Sequence, residues 1–305
     1  MSLSPAELRE HLTLAAAKAG VTFPELVVPH AHDVVLRRMR FHYLDWGTAG
    51  RPPILFLHGG GLNAHTWDLV CLSLRLDHHC LALDQRGHGE SEWSPEMDYT
   101  IESQVGDIEA FVDHLRLERF VLVGMSLGGA NGLAWAGRHS ERLAGLVLVD
   151  VGPETRAAGA QKIQAFTSEK KPFDSLEEVI ERALSFNPRR DPNLLRFSLR
   201  HNLRRMPTGQ WMWKYDQRHR GGFDAAARER RRVLLWDAVA NVKCPTLVVR
   251  GAQSDVFHDE DAEQLAAKLP RARWVRVERA GHTVQGDNPS GLLTELRAFF
   301  RELPT

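Results

Sequence analysis

The chain has 305 residues and carries 39 basic and 39 acidic side chains, so its formal net charge is zero. This balance argues against a dedicated nucleic-acid binder, which needs a basic surplus for phosphate contacts. Hydrophobic residues make up 43% and charged residues 26%, as in globular proteins that bury a core. The three cysteines form no CxxC pair, and no apolar segment is long enough to span a bilayer, so we expect a reduced cytoplasmic protein.

The first predicted element is a short helix in an N-terminal extension, residues 1–30. Ser4 stands directly before Pro5, and this pair is typical of an N-cap followed by the first helical position. Charged residues occupy the positions where a signal peptide would carry its apolar segment. We therefore expect a helix that runs toward Lys18 and no targeting segment.

Short apolar segments then alternate with helical patterns. The predicted strands cover residues 34–38 and 40–46, which form a hairpin, and then 54–57, 80–83, 120–123 and 146–149. Apolar residues at intervals of three and four over 101–115 predict an amphipathic helix between two of them. Strands that alternate with helices require crossover connections, so we predict an α/β fold with a mostly parallel sheet covered by helices on both faces.

The alternation stops near Pro153 and resumes at Cys244, with strands over 244–249 and 274–277 and helices over 261–269 and at the end of the chain. The interval between them has no strand signal and is typical of several helices joined by turns. We therefore expect a core formed by residues 31–153 and 239–305, with a helical cap of residues 154–238 above the sheet.

The strongest motif is GMSLGG at residues 124–129, directly after a predicted strand and directly before a helix. A serine in this position sits on a tight turn, and neighbouring glycines remove the Cβ atoms that would clash there. The turn lifts the Ser126 hydroxyl above the carboxyl edge of the sheet. Ser126 is therefore the predicted nucleophile.

A serine nucleophile needs a base within hydrogen-bonding distance and a carboxylate that orients the base. His282 follows the last predicted strand in an Ala-Gly-His segment and is the predicted base. Asp255 and Asp150 both follow strands and are both geometrically possible as the acid. We assign the acid to Asp255, because it lies in a G-x-x-S-D loop, and a structural role to Asp150.

The segment HGGG at residues 58–61 follows another predicted strand. Acyl transfer builds negative charge on the carbonyl oxygen, and backbone N–H groups preset toward it lower the barrier. We expect Gly60 and Leu127 to supply these N–H groups. Gly61, Met125, Trp211 and Trp213 are predicted to contact substrate.

Read together, these motifs and the segment DQRGHGES at residues 84–91 resemble the α/β-hydrolase superfamily over residues 34–303. The resemblance implies an eight-stranded sheet, a cap between strands six and seven, and a triad of Ser126, Asp255 and His282. Relatives that hydrolyse haloalkanes or epoxides use an aspartate nucleophile, so a serine at position 126 disfavours those reactions. Met125 and the 84–91 loop look like those of esterases and enol-lactonases.

The sequence thus predicts a serine hydrolase for a small carboxylic ester or lactone. A C–C bond hydrolase of vinylogous diketones would use the same triad, although such enzymes often place Asn where this chain has Met125. A ligand receptor on a hydrolase scaffold is a third possibility. No nucleotide or catalytic zinc motif occurs, so we expect neither a cofactor nor a metal, and oligomeric state stays open.

The neutral net charge is a cancellation between two regions. Residues 154–237 contain 18 basic and 11 acidic side chains, so the cap carries +7 and the rest of the chain −7. Four arginines are spaced to share a helix face: Arg196, Arg200, Arg204 and Arg205. We expect this surface to be solvated or docked on the acidic core, and an anionic-substrate rim is the alternative.

Overall fold

Alternating apolar segments give this chain a central sheet with helices on both faces. The computed structural model describes residues 4–167, 171–188, 190–218 and 225–303, and these contain ten strands. The strands are β1 (His30–Leu36), β2 (Met39–Asp45), β3 (Pro53–Leu57), β4 (His79–Leu83), β5 (Phe120–Met125), β6 (Leu143–Val149), β7 (Leu203–Arg205), β8 (Trp211–Trp213), β9 (Thr246–Gly251) and β10 (Ala272–Val277).

Eight of these strands form one sheet in the order β1-β2-β4-β3-β5-β6-β9-β10. β1 and β2 are an antiparallel hairpin, β2 is antiparallel to β4, and the other neighbours are parallel. The predicted α/β fold with a mostly parallel eight-stranded sheet is confirmed. Parallel strands end at one edge of the sheet, so the segments that follow β3, β5, β6, β9 and β10 meet there.

The helices cover the two faces of the sheet and form most of the segment between β6 and β9. They are α1 (Pro5–Ala19), α2 (Asp68–Leu74), α3 (Ile101–His114), α4 (Leu127–His139), α5 (Ala157–Thr167), α6 (Leu176–Phe186), α7 (Pro192–Asn202), α8 (Ala225–Val239), α9 (Asp259–Lys268), α10 (Val284–Asp287) and α11 (Pro289–Glu302). A 3₁₀ turn, Ala64–Trp67, precedes α2. No helix among the described residues is both long and apolar enough to cross a membrane.

Each face of the sheet has its own apolar core, because successive strand residues point to opposite faces. On β5, Leu122 packs with the core that includes α3, α4 and α9, whereas Val121 and Val123 pack with the core that includes α1, α2 and α11. All three side chains are buried. This two-sided burial explains why the central strands are continuous apolar runs.

The segment between β6 and β9 contains α5 to α8 and the hairpin of β7 and β8. Leu199, Leu203 and Trp213 belong to a separate apolar cluster within this segment. α8 instead packs on α4, where Ala238 lies close to Gly137. The expectation of an insertion without strands is wrong, because two three-residue strands are too short to show an alternating pattern.

The expected arginine face is also wrong in part. α7 ends at Asn202, so Arg204 and Arg205 lie on β7 and do not share a helix with Arg196 and Arg200. The chain leaves the helix at Leu203, whose extended backbone begins the hairpin.

The N-terminal helix α1 begins as expected, with Ser4 as its N-cap in a capping box with Glu7. The helix contacts both α2 of the core and α7 of the insertion. Arg200 of α7 donates to Glu7 at 3.0 Å, and the ring of His11 stacks on Phe197 with 4.6 Å between centroids. α1 therefore joins the insertion to the core.

Candidate active site

Ser126 lies on a sharp turn between β5 and α4 at the carboxyl edge of the sheet. Its backbone has φ 52° and ψ −112°, a strained conformation for a residue with a side chain. A Cβ atom on Gly124 would lie 2.5 Å from the carbonyl oxygen of Gly128, and one on Gly128 would lie 2.5 Å from that of Leu57. The turn therefore needs glycine on both sides of the serine, as the motif predicts.

His282 reaches Ser126 from the segment after β10. Its Nε2 atom lies 3.0 Å from Ser126 Oγ, and the His282 side chain is 15% exposed. The N–H of Gly281 donates to the Asp287 carboxylate at 2.9 Å and fixes this segment. The structure thus brings the predicted nucleophile and base together.

The carboxylate that meets His282 belongs to Asp150, directly after β6. Asp150 Oδ2 lies 2.7 Å from His282 Nδ1, and the Asp150 side chain is fully buried. The N–H of Gly251 donates to Oδ1 at 2.9 Å, and the hydroxyl of Ser254 donates to Oδ2 at 2.6 Å. Three donors therefore hold one carboxylate in a fixed orientation.

The expectation that Asp255 orients His282 is wrong in this structure. The Asp255 side chain is 51% exposed and forms an ion pair with Lys162 of α5 at 2.7 Å. The backbone of Asp255 packs under Gly159, where an added Cβ would lie 2.2 Å from the Asp255 carbonyl oxygen. The loop after β9 thus turns Ser254 inward and Asp255 outward. The sequence analysis did not predict the contact between Ser254 and Asp150, although Ser254 belongs to the same G-x-x-S-D segment as Asp255.

The glycine turn after β3 lies against the serine turn. A Cβ on Gly59 would lie 2.4 Å from Met125 Sδ and 3.4 Å from Ser126 Cβ. At the start of α4, the N–H of Gly128 donates to the carbonyl of His58 at 3.0 Å. The two segments that carry Gly60 and Leu127 are therefore bound to each other beside Ser126.

A buried polar network supports the glycine turn from below. His58 Nε2 accepts from the N–H of Gln85 at 3.0 Å, so Nδ1 donates to the Gly59 carbonyl at 2.8 Å. Burial lowers the pKa of His58, and a neutral ring suits this one-donor, one-acceptor role. The Gln85 side chain donates to the His58 carbonyl and accepts from Asn131 of α4. Sequence reasoning did not identify this network.

The 84–91 loop is fixed by a buried carboxylate. Asp84 accepts from the N–H groups of Ala64 at 2.6 Å and Glu90 at 2.9 Å, and it pairs with His42 Nδ1 at 2.9 Å. Burial by itself would raise the pKa of Asp84, but the hydrogen bonds and the charge of His42 outweigh it and lower the pKa to about 2. The loop therefore carries a buried negative charge beneath the site.

The predicted substrate contacts lie in two places. Met125 is buried beside Gly59, and Gly61 is buried with φ 80°, which favours glycine. Trp213 is 3% exposed and stacks on Tyr215 in the cluster of the insertion, and Trp211 pairs with Phe173 through its backbone. Contact of these four residues with substrate stays a prediction.

Comparison with known proteins defines the class of this chain. A family model of the α/β-hydrolase fold matches residues 52–289, which is more than half of the chain. The chain therefore belongs to the α/β-hydrolase family.

Individual relatives include an esterase, Rv0045c of Mycobacterium tuberculosis, which is 32% identical over 289 residues and 92% of each chain. A solved structure of the same esterase, from a study of its transition metal inhibition, superposes on this chain with a TM-score of 0.78 and 32% identity. The match covers 99% of this chain and 100% of the esterase chain. A 3-hydroxybutyrate-oligomer hydrolase of Cupriavidus necator is 27% identical, over 81% of this chain and 87% of its own.

Proposed function

We propose that this chain is a serine esterase that cleaves a small carboxylic ester or lactone through a seryl ester intermediate. The observation that carries the proposal is the 3.0 Å contact between Ser126 Oγ and His282 Nε2 on a strained strand-to-helix turn. The similarity of this chain to an esterase over 92% of each chain supports ester hydrolysis as the reaction class.

In the first half-reaction, Ser126 Oγ attacks the carbonyl carbon while His282 Nε2 accepts the serine proton. Asp150 holds the Nδ1–H of His282 and stabilises the charge that forms on the ring. The protonated His282 then donates its proton to the leaving alcohol, or to the ring oxygen of a lactone. The acyl group is left on Ser126.

The N–H groups of Gly60 and Leu127 stabilise the negative charge that forms on the carbonyl oxygen. Both N–H groups belong to segments that adjoin Ser126. The neighbouring N–H groups of Gly128 and Ala130 already donate to the carbonyls of His58 and Ser126, so they do not serve this purpose. A preset donor of this kind contributes about 3 kcal/mol to barrier lowering. Water activated by His282 then attacks the acyl group and regenerates Ser126.

The cap is assigned to substrate selection, with Trp211, Trp213, Met125 and Gly61 as candidate contacts. A wide panel of esters and lactones with graded acyl length would define the preferred substrate.

The test is turnover of p-nitrophenyl esters by the wild type, Ser126→Ala and the control Ser185→Ala. Ser185 lies on α6, where its hydroxyl donates to the carbonyl of Glu181 at 3.0 Å. We expect turnover and fluorophosphonate labelling to disappear in Ser126→Ala and to persist in Ser185→Ala. Labelling of Ser126→Ala at the wild-type rate would overturn the proposal.

A further inference from the structure

Three side chains from the core and the cap meet where the 3₁₀ turn faces α7. His65 lies on the 3₁₀ turn, Asp68 begins α2, and His201 lies on α7. One nitrogen or oxygen atom from each residue lies within 4.8 Å of the other two. The rings of His65 and His201 are stacked with 3.7 Å between centroids, and His65 Nδ1 lies 3.0 Å from Asp68 Oδ2.

One of these side chains has an unpaired nitrogen. His201 is 7% exposed, and its Nε2 atom finds no hydrogen-bond partner among the described residues. Leaving such an atom buried without a partner costs free energy, so native structures rarely do so. A metal ion would accept the lone pair of an imidazole nitrogen at this position.

The donor set favours a particular class of ion. Two imidazoles and one carboxylate suit Zn²⁺, Co²⁺, Ni²⁺ or Cu²⁺, whereas Mg²⁺ and Ca²⁺ prefer oxygen ligands throughout. Three protein ligands leave at least one position for water or another ligand. Asp68 supplies the negative charge, and the nearby cation Lys214 is paired with Glu90.

The cluster lies where the cap meets the core. Asn63 donates to Asn202 at 2.5 Å beside it, so one direct link already joins the 3₁₀ turn to α7. Gln285 of α10 donates to Thr66 at 3.0 Å, which connects the same turn to the segment of His282. An ion held by His65, Asp68 and His201 would therefore add a further link between the 3₁₀ turn and α7.

We propose that His65, Asp68 and His201 form a binding site for a divalent transition metal ion that fastens α7 of the cap to the core. The site stands apart from the Ser126, His282 and Asp150 contacts, and binding is measurable without substrate. Its test is thus independent of the proposed esterase activity.

The experiment titrates Zn²⁺ into chelator-treated wild type, His65→Ala, His201→Ala and the control His114→Ala by calorimetry. His114 is an exposed histidine at the end of α3, outside the cluster. We expect one ion per chain in the wild type and in His114→Ala. Loss of one ligand should weaken binding by at least about tenfold in the other two variants, since even outer-shell changes reach that size.

Two further measurements keep the test decisive. Co²⁺ d–d absorption reports the coordination geometry of the bound ion, and Zn²⁺ should raise the Tm of the wild type but not that of His201→Ala. If His201→Ala fails to fold by circular dichroism, Asp68→Asn replaces it in the comparison. Equal Zn²⁺ affinity in all four proteins, or no binding to the wild type, would overturn the proposal.

Discussion

Asp150 at the end of β6, and not Asp255 after β9, places its carboxylate 2.7 Å from Nδ1 of His282. We predict that Asp150→Asn lowers kcat by about four orders of magnitude, as loss of the orienting carboxylate does in serine hydrolases. Asp255→Asn removes only an exposed ion pair with Lys162 and should leave kcat within about twofold of the wild type. Steady-state kinetics on one ester checks both, and a larger loss in Asp255→Asn would contradict the assignment.

Ser254 is the second prediction. Its hydroxyl donates to Asp150 Oδ2 at 2.6 Å and accepts from the N–H of Val256 at 3.2 Å, so it positions the acid. Removing one hydrogen bond of this kind costs about 1.5 kcal/mol, so Ser254→Ala should lower kcat about tenfold with little change in KM. Ser254→Thr keeps a hydroxyl and should recover part of the loss. An effect confined to KM would assign Ser254 to substrate binding instead.

Two glycines of α4 provide a matched pair. A Cβ on Gly128 would lie 2.5 Å from the backbone oxygen of Leu57, whereas one on Gly132 would first meet the flexible side chain of Leu122 at 3.1 Å. Gly128→Ala should therefore destabilise the protein by at least about 2 kcal/mol and displace the N–H of Leu127. Gly132→Ala gains about 1 kcal/mol of helix propensity against a mild contact and should stay near wild type. Measurements of Tm and kcat on both variants check this prediction. Equal effects of the two substitutions would contradict it, because they would show that the start of α4 can shift to accept a Cβ at Gly128.

Acid sensitivity is expected from Asp84. Its pKa falls from 3.8 to about 2 on folding, so ionised Asp84 stabilises the fold by about 2 kcal/mol at neutral pH. Because the folded pKa is the lower one, this contribution is complete above about pH 4 and disappears as the pH falls through about 2. The Tm deficit of Asp84→Asn should thus shrink over that window. Exposed Asp33 provides the control, since Asp33→Asn should change Tm little. A deficit that stays constant with pH would contradict this reading.

The cap arginines give a prediction about salt. Arg190 pairs with Asp287 at 3.2 Å, Arg200 with Glu7 at 3.0 Å, and Arg156 with Asp261 at 2.9 Å. Part of the basic surplus is thus neutralised against acidic residues of the core and α1. We expect kcat/KM of anionic and neutral esters to respond to salt within about twofold of each other, since paired charges exert little long-range field. A steep fall for anionic esters alone would instead support a basic rim at the substrate entrance.

The sheet could be predicted closely because its strands are buried on both faces. Each predicted central strand overlaps an observed one, and the Ser126 turn follows from glycine spacing alone. The hairpin of β7 and β8 was missed because three residues show no period. These two strands are stabilised by packing within the insertion, because Leu203 and Trp213 are paired across the hairpin and both are buried.

The acid was assigned to the wrong aspartate because both candidates follow strands of the same sheet. What separates them is the direction in which the backbone turns. Arg250 donates to the carbonyls of Ala252, Ser254 and Phe257 and curls the loop so that Asp255 faces outward. The cluster of His65, Asp68 and His201 could not be predicted either, since His65 and His201 are distant in sequence and share no motif.

The insertion leaves the core directly after Asp150, and Gly152 lies tightly against Phe257 at that point. Asp150, which contacts His282, therefore lies between β6 and the insertion. A chimaera that carries the insertion of a related enzyme must therefore keep Asp150 in the core, with the splice after it. A splice before Asp150 would transplant the acid of one enzyme into the sheet of another.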